Sequence, residues 1–330
     1  MNRTTGGSSF PHPGKHRRIQ TQMIRIAGLM GVLIPWLLVG GLAQAQDVSR
    51  EAFRFLEMAS GGRLAALGGN HAALLSPDAG SVLSNPAFLI ASDSKEIGIQ
   101  TSRLPAGITR AGADWVNPFR PAAGRDGKTP HTYLGVRSVL YGAMDRLDES
   151  GQADGTFRSF DSQWSAGAAL PLGGGWAVGA GGSLVVSSYG EWTSSAYSLS
   201  AGTSWTAPGG DLSAGLVVRN LGGSLSSWTD VKEPLPFRVA LGIAHKPTYF
   251  PARLHLTAVE NAHGRFDPDL LAGAEFLFSE QFHFRLGFHS GLHNDLKTAS
   301  RLDISGVQAG IGLRIRDIRI DLSRTSWGRL

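Results

Sequence analysis

The 330-residue chain carries 31 Lys and Arg against 26 Asp and Glu, a formal net charge of +5. Five of those cations (Arg3, Lys15, Arg17, Arg18 and Arg25) lie in the first 45 residues with no acid beside them, so the remainder holds 31 − 5 = 26 cations against 26 anions. A neutral remainder has no global footprint for nucleic acid, and the lack of cysteine excludes a lipoprotein anchor, a disulfide framework and thiolate metal sites.

In chain order, Arg25 is followed by the uncharged run IAGLMGVLIPWLLVGGL and then Ala43-Gln44-Ala45, a small-x-small signal before Gln46. Basic, apolar and small residues in that order predict a cleaved secretory signal peptide over 1–45. A retained anchor is the alternative, although the run barely reaches bilayer length and Pro35 interrupts it. Met23 would itself open a compact signal peptide, so translation starting there is a second expectation. Beyond the leader no apolar run approaches the ~18 residues a membrane helix needs. Membrane residence would therefore require a closed barrel.

Residues 46–94 read as an N-terminal plug or periplasmic segment. Its core, GGRLAALGGNHAALLSPDAGSVLSNPAFL, is rich in small residues, broken by glycine and nearly uncharged. It lacks the Lys-Ser/Thr of a phosphate loop and the G-x-G-x-x-G fingerprint. Asn85-Pro86-Ala87 resembles the half-helix motif of water channels, but those need several long apolar helices. Pro86 is expected to end any helix begun before it.

From residue 95 to 330 the pattern is that of strands. Glycine numbers 44 of 330, roughly twice the usual ~7%, inside segments that alternate apolar and polar residues. Phe282, Phe284, Leu286 and Phe288 oppose His283, Arg285, Gly287 and His289; Ile318, Ile320 and Leu322 oppose Arg319, Asp321 and Ser323; Leu254 and Leu256 oppose Arg253, His255 and Thr257. Period two is strand periodicity. It predicts strands near 95–103, 107–117, 131–142, 155–169, 175–187, 195–206, 211–220, 236–244, 251–259, 269–278, 281–289, 304–314 and 317–324. From residue 143 the connections alternate long and short, the rhythm of an up-and-down outer-membrane barrel. One face carries Leu, Ile, Val and Phe for lipid; the other carries small and polar groups suited to a lumen. Trp164, Trp176, Trp192 and Trp205 are expected in interfacial girdles, with packing in a soluble core as the alternative.

Thirteen strands conflict with the even number usual in single-chain bacterial barrels. Two repairs are open. Part of 64–75 supplies a strand, or a closing strand follows Leu330, which predicts a reading frame that continues.

Chemistry is sparse. His283 and His289 share parity on one strand but lie six residues apart, roughly 20 Å at 3.3–3.4 Å per residue, too far to hold one ion. With His293 they read as lumenal or loop histidines. Asp145, Asp148, Glu149 and Asp154 form an acidic loop without the D-x-D-x-D-G spacing of a calcium loop. No G-x-S-x-G elbow stands in a plausible triad. No catalytic residue, cofactor or metal is expected.

Several pieces together resemble the PorV/PorQ family, a branch of the FadL-like outer-membrane barrels. They are Phe55-Leu56, Gly62-Arg63-Leu64-Ala65-Ala66-Leu67-Gly68-Gly69, Ser76-Pro77-Asp78-Ala79 and Ser84-Asn85-Pro86-Ala87-Phe88-Leu89. Tyr141-Gly142-Ala143-Met144, Asn220-Leu221-Gly222, Glu233-Pro234-Leu235-Pro236-Phe237 and Arg319-Ile320-Asp321 continue the likeness, which spans most of 51–324. The resemblance implies an all-β, antiparallel up-and-down transmembrane barrel of about fourteen strands with the Asn-Pro-Ala segment near or inside it. It also implies a place in the type IX secretion system, where such barrels serve a cell-surface attachment complex with a PorU-like sortase, a PorV-like barrel and a PorZ-like protein.

The candidate plug motif is Arg63, Gly68, Gly69, Asp78, Asn85, Pro86 and Ala87. Arg63 is expected either to pair with a lumenal carboxylate or to sit solvated at the periplasmic mouth. Loops 221–235 and 290–303, with Leu225, Trp228 and Leu292, are the candidate partner surfaces. The leading functional expectation is a non-enzymatic docking barrel in contact with outer-membrane lipid and those partners. The alternative is a FadL-like transporter of hydrophobic small molecules, which requires an apolar pocket in the lumen. A soluble periplasmic β-protein or hydrolase is the third reading.

Overall fold

The computed structural model describes residues 51–92, 94–118, 130–228, 232–261, 267–298 and 303–328. The leader, its cleavage site and Met23 lie outside them. Thirteen antiparallel strands follow one another in a single sheet, each paired with its chain neighbours. They are β1 (Glu96–Arg103), β2 (Thr109–Pro118), β3 (His131–Leu147), β4 (Ala153–Gly173), β5 (Trp176–Tyr189), β6 (Trp192–Thr206) and β7 (Leu212–Ser226). Then come β8 (Arg238–His245), β9 (Ala252–Asn261), β10 (Asp269–Leu277), β11 (Phe282–His289), β12 (Val307–Ile315) and β13 (Ile318–Thr325). All thirteen coincide with strands expected from the alternation.

The sheet curls until its two ends meet. Arg319 on β13 comes 3.9 Å from Glu96 on β1. No ladder joins these strands among the described residues. Antiparallel neighbours alternate in direction, so the first and thirteenth strands run the same way and could pair only in parallel. Residues 64–75 do not supply a fourteenth strand. They hold the short helix α1 (Gly62–Ala66) and irregular chain, because Gly68 and Gly69 adopt φ of 108° and 137°, outside strand geometry.

The faces divide as the period-two pattern requires. Phe282, Leu286 and Phe288 are exposed, as are Leu254, Leu256, Ile318, Ile320 and Leu322, whereas Arg285 and His255 are buried. On β4 the exposed apolar side runs from Phe160 through Trp164 to Leu170 and Leu172. That is about 40 Å along the strand at ~3.3 Å per residue, or close to 28 Å high at ~45° tilt, the height of a lipid belt. No described helix is long and apolar enough to cross a membrane.

Two expectations change. Strands β3 to β7 each run past an expected end, with β4 reaching 21 residues rather than the 15 of 155–169. Their tips continue past the belt as polar ribbon. Trp176, Trp192 and Trp205 sit at strand ends, but Trp164 lies in the middle of β4, at lipid depth rather than in a girdle. Trp192 shares the inward parity of the buried Ser194 and Ala196, so it faces the mouth.

Candidate functional site

The inward face of the sheet is occupied by residues 51–92. This segment enters among the long loops, where Ala52 N–H donates to Pro234 O at 3.0 Å. Glu51 meets Arg238 in a two-pronged pair of 2.7 and 2.8 Å. Phe53 and Phe55 then pack on Val139, Val185, Ala196 and Leu235. Asn220 adopts φ 59° at a β-bulge, which turns its amide inward to donate to Glu57 Oε1 at 2.8 Å and Pro236 O at 2.9 Å. The Glu233-to-Phe237 run and the Asn220-Leu221-Gly222 triplet thus both hold the entry of this segment.

Midway, backbone meets backbone. A methyl at Gly179 of β5 would lie 2.5 Å from Pro86, and one at Gly202 or Gly215 would overlap Asn85 or Ala72. The glycine excess is in part a groove for this segment, since any Cβ there would displace it. Gly68 sits against the backbone of β10 and β11, 2.8 Å from Phe288 O where its Cβ would be. Its positive φ and that contact both demand glycine.

Asn85 caps the 3₁₀ helix Pro86–Ala91 by accepting from Ala87 N. Its amide donates to Ala72 O at 2.9 Å and Thr203 O at 3.1 Å. Pro86 therefore begins a helix rather than ending one, in the first-turn position that tolerates its missing N–H. His71 is fully buried. Its Nε2 lies 2.8 Å from Leu67 O and its Nδ1 3.0 Å from Thr257 Oγ1. A carbonyl only accepts, so Nε2 carries the proton.

Toward the short turns the contacts become ionic. Arg63, on α1, is buried and pairs with Glu275 of β10 through Nε at 3.1 Å and Nη2 at 2.9 Å. It also donates to Ser76 O at 2.6 Å and Leu75 O at 3.0 Å, and lies 3.4 Å from Asp78. Of the two expectations for Arg63, the lumenal carboxylate is the one found. Glu275 is shared with Arg285 at 2.7 Å and Arg253 at 3.1 Å, and Arg285 reaches Asp321 at 2.6 Å. Asp78 also meets Arg319 at 3.4 Å. The alternation predicted inward charges on these strands; it held no information on which of them would share one carboxylate.

Midway along the inner segment the remaining space is small. A polar pocket of about 20 Å³ lies among Ser60, Asn70, Arg137, Arg219 and Asn220, room for about one water. At the mouth, Phe157 and Tyr189 make an edge contact at 4.9 Å, and Tyr189 lies 6.4 Å from Trp192 and 6.3 Å from Trp228. Phe157 and Tyr189 share the inward parity of buried Ser159 and Ser187. Leu225 proves to be strand rather than loop, exposed near the end of β7. Leu292 is half-buried on the helix α2 (Ser290–Leu296), not an exposed apolar contact.

Of the other residues singled out, His283 stands 3.9 Å from Glu275, and His293 Nδ1 is 3.0 Å from Ser305 O. Asp148 caps the β3–β4 hairpin by accepting from Ser150 N and Gln152 N, both at 2.9 Å, and these bonds hold its carboxyl below the usual range. Asp303, in the loop after α2, is held at about 2 by its hydrogen bonds from Ser305 and Thr298.

No family model matches the chain, and no curated protein matches it in sequence. Solved structures do. A TodX monoaromatic hydrocarbon channel variant (deltaS2) aligns with 82% of this chain and 92% of its own, at 14% identity and a TM-score of 0.55. The Pseudomonas putida toluene transporter TodX aligns with 81% and 92%, at 13% identity and 0.51. The chain is an outer-membrane β-barrel. Its fold is shared with the two TodX structures, and its exposed apolar belt fits a lipid setting.

Proposed function

We propose that this barrel passes small hydrophobic molecules across the outer membrane, with residues 51–92 as its movable stopper. The likeness to the TodX channels supports the reading. The observation that carries it is the aromatic cluster Phe157, Tyr189, Trp192 and Trp228 on the inner side of the mouth. Apolar rings there meet an incoming ligand at the entrance to the lumen. Midway below them, the pocket among Ser60, Asn70, Arg137, Arg219 and Asn220 has room for about one water. Passage therefore requires the segment to shift, or the ligand to leave between β1 and β13, where no ladder closes the wall. Uptake of a monoaromatic hydrocarbon into proteoliposomes tests this. We expect uptake above that of empty liposomes, falling several-fold in a Trp192→Ala, Trp228→Ala double variant. Uptake equal to empty liposomes rejects the reading.

A second reading, a docking barrel of type IX secretion, is favoured by the filled middle of the lumen. The sequence pieces that resemble the PorV/PorQ family fall on contacts of the inner segment, as with Arg63, Asn85, Asn220 and Glu233–Phe237. Co-purification of a tagged chain in mild detergent with PorU-, PorV- or PorZ-like proteins would support it. Purification alone, with uptake intact, would leave transport as the function.

A further inference from the structure

At the short-turn end the wall of the barrel encloses an open cavity of about 600 Å³. Six arginines line it (Arg63, Arg253, Arg285, Arg314, Arg316 and Arg319), against only Glu275 and Glu280 among its carboxylates. Three of the six, Arg63, Arg253 and Arg285, share the single Glu275. Arg319 lies 3.4 Å from Asp78, 3.9 Å from Glu96 and 4.0 Å from Asp321.

Two features of this cluster work against stability. Arg314 and Arg319 are direct cross-strand partners of β12 and β13, and like charges placed opposite one another are destabilising. Arg314 makes no ion pair among the described residues that would offset this. Next to it, Arg316 occupies the tight β12–β13 turn at φ 54°, a position where asparagine, aspartate or glycine is the unstrained choice. Guanidinium groups are thus held together from β9, β11, β12, β13 and α1, with Arg314 and Arg316 left free for a ligand.

We propose that this cavity binds a phosphate ester. A tetrahedral phosphate offers three acceptor oxygens and close to two negative charges, so it can engage several guanidinium forks approaching from different strands. A carboxylate is planar and saturates with one fork or two. The cavity also lies at the edge of the lipid belt. Ile315 and Ile318, which flank the turn, are exposed apolar residues, so the phosphate of a lipid headgroup and that of a soluble ester both have access. The site does not depend on the transport reading.

The test uses the full chain purified in a neutral detergent. Binding of glycerol phosphate is measured by calorimetry, and retention of phosphatidylglycerol by native mass spectrometry. The Arg314→Gln, Arg316→Gln double variant changes two exposed side chains with no ion pair to lose. Arg158→Gln, an exposed arginine of β4, is the control. Saturable binding of either probe that weakens at least tenfold in the double variant and stays unchanged in the control supports the site. Retention of the lipid alone assigns the headgroup as the source; binding of glycerol phosphate assigns a soluble ester. Three results overturn the proposal: no saturable binding of either probe, equal binding by the double variant, or citrate bound as tightly as the phosphates. Hydrocarbon uptake by the double variant stays at the wild-type level if the site is separate, so failure here is distinguishable from failure of the transport reading.

Discussion

Strands β3 to β7 and strands β8 to β13 hold the same inner segment with different proportions of shape and charge. The first group is tall, 14 to 21 residues per strand. It meets the segment through glycines, with Asn85 and Pro86 seated against Gly179 and Gly202. The second group is short, 8 to 10 residues per strand; it too meets the segment through glycines, with Gly273 and Gly287 against Leu67 and Gly68, and adds a buried ion network in which Arg63 is bound to Glu275. Shape complementarity is insensitive to salt and fails when a methyl is added. A buried ion network fails when one partner is removed. The two grips can therefore be broken separately.

The largest effect is expected on the charged side. Glu275→Gln leaves Arg63, Arg253 and Arg285 without their shared carboxylate, and breaking a buried pair costs about 3–5 kcal/mol. Thermal unfolding in detergent should show a lower midpoint, and limited proteolysis should cut within 51–92. Next comes Gly202→Val on the shape side, where the added carbons overlap Asn85 at a cost of ~1–3 kcal/mol. Its protease sensitivity should be the same at low and high salt. The smallest of the three is Asn85→Ala, which removes a helix cap and two donated hydrogen bonds and should cost about 1–2 kcal/mol. If Glu275→Gln leaves the segment as protected as in the wild type, the division into two grips is wrong.

How far the sequence foretold this follows from where the patterns live. Alternation such as Phe282, Phe284, Leu286, Phe288 is imposed by lipid on one side and the lumen on the other, so every strand was legible. The upper ends of β3 and β4 stand in water on their outer face. Asp154, Thr156 and Arg158 there carry no apolar period, and the strands read shorter than they are. The side that Trp192 faces depends on register, which a lone tryptophan does not reveal. Arg63 was open between two fates because its partner lies 212 residues away. Pro86 was misread because proline can follow a helix as well as open one; the signal that decides is Asn85 before it, a capping residue.

The central claim is that the apolar side of each strand faces lipid while the other side covers the inner segment. The natural absence of cysteine permits a direct measurement by single-cysteine spin labels at Tyr197, Ser198 and Leu199 of β6 in lipid bilayers. Tyr197 and Leu199 are exposed and Ser198 is buried. The account predicts high oxygen collision rates at 197 and 199 and low rates at 198, with a water-soluble nickel reagent excluded from the two outer positions. Ready access of the nickel reagent to 197 and 199, or no alternation across the three, would contradict it.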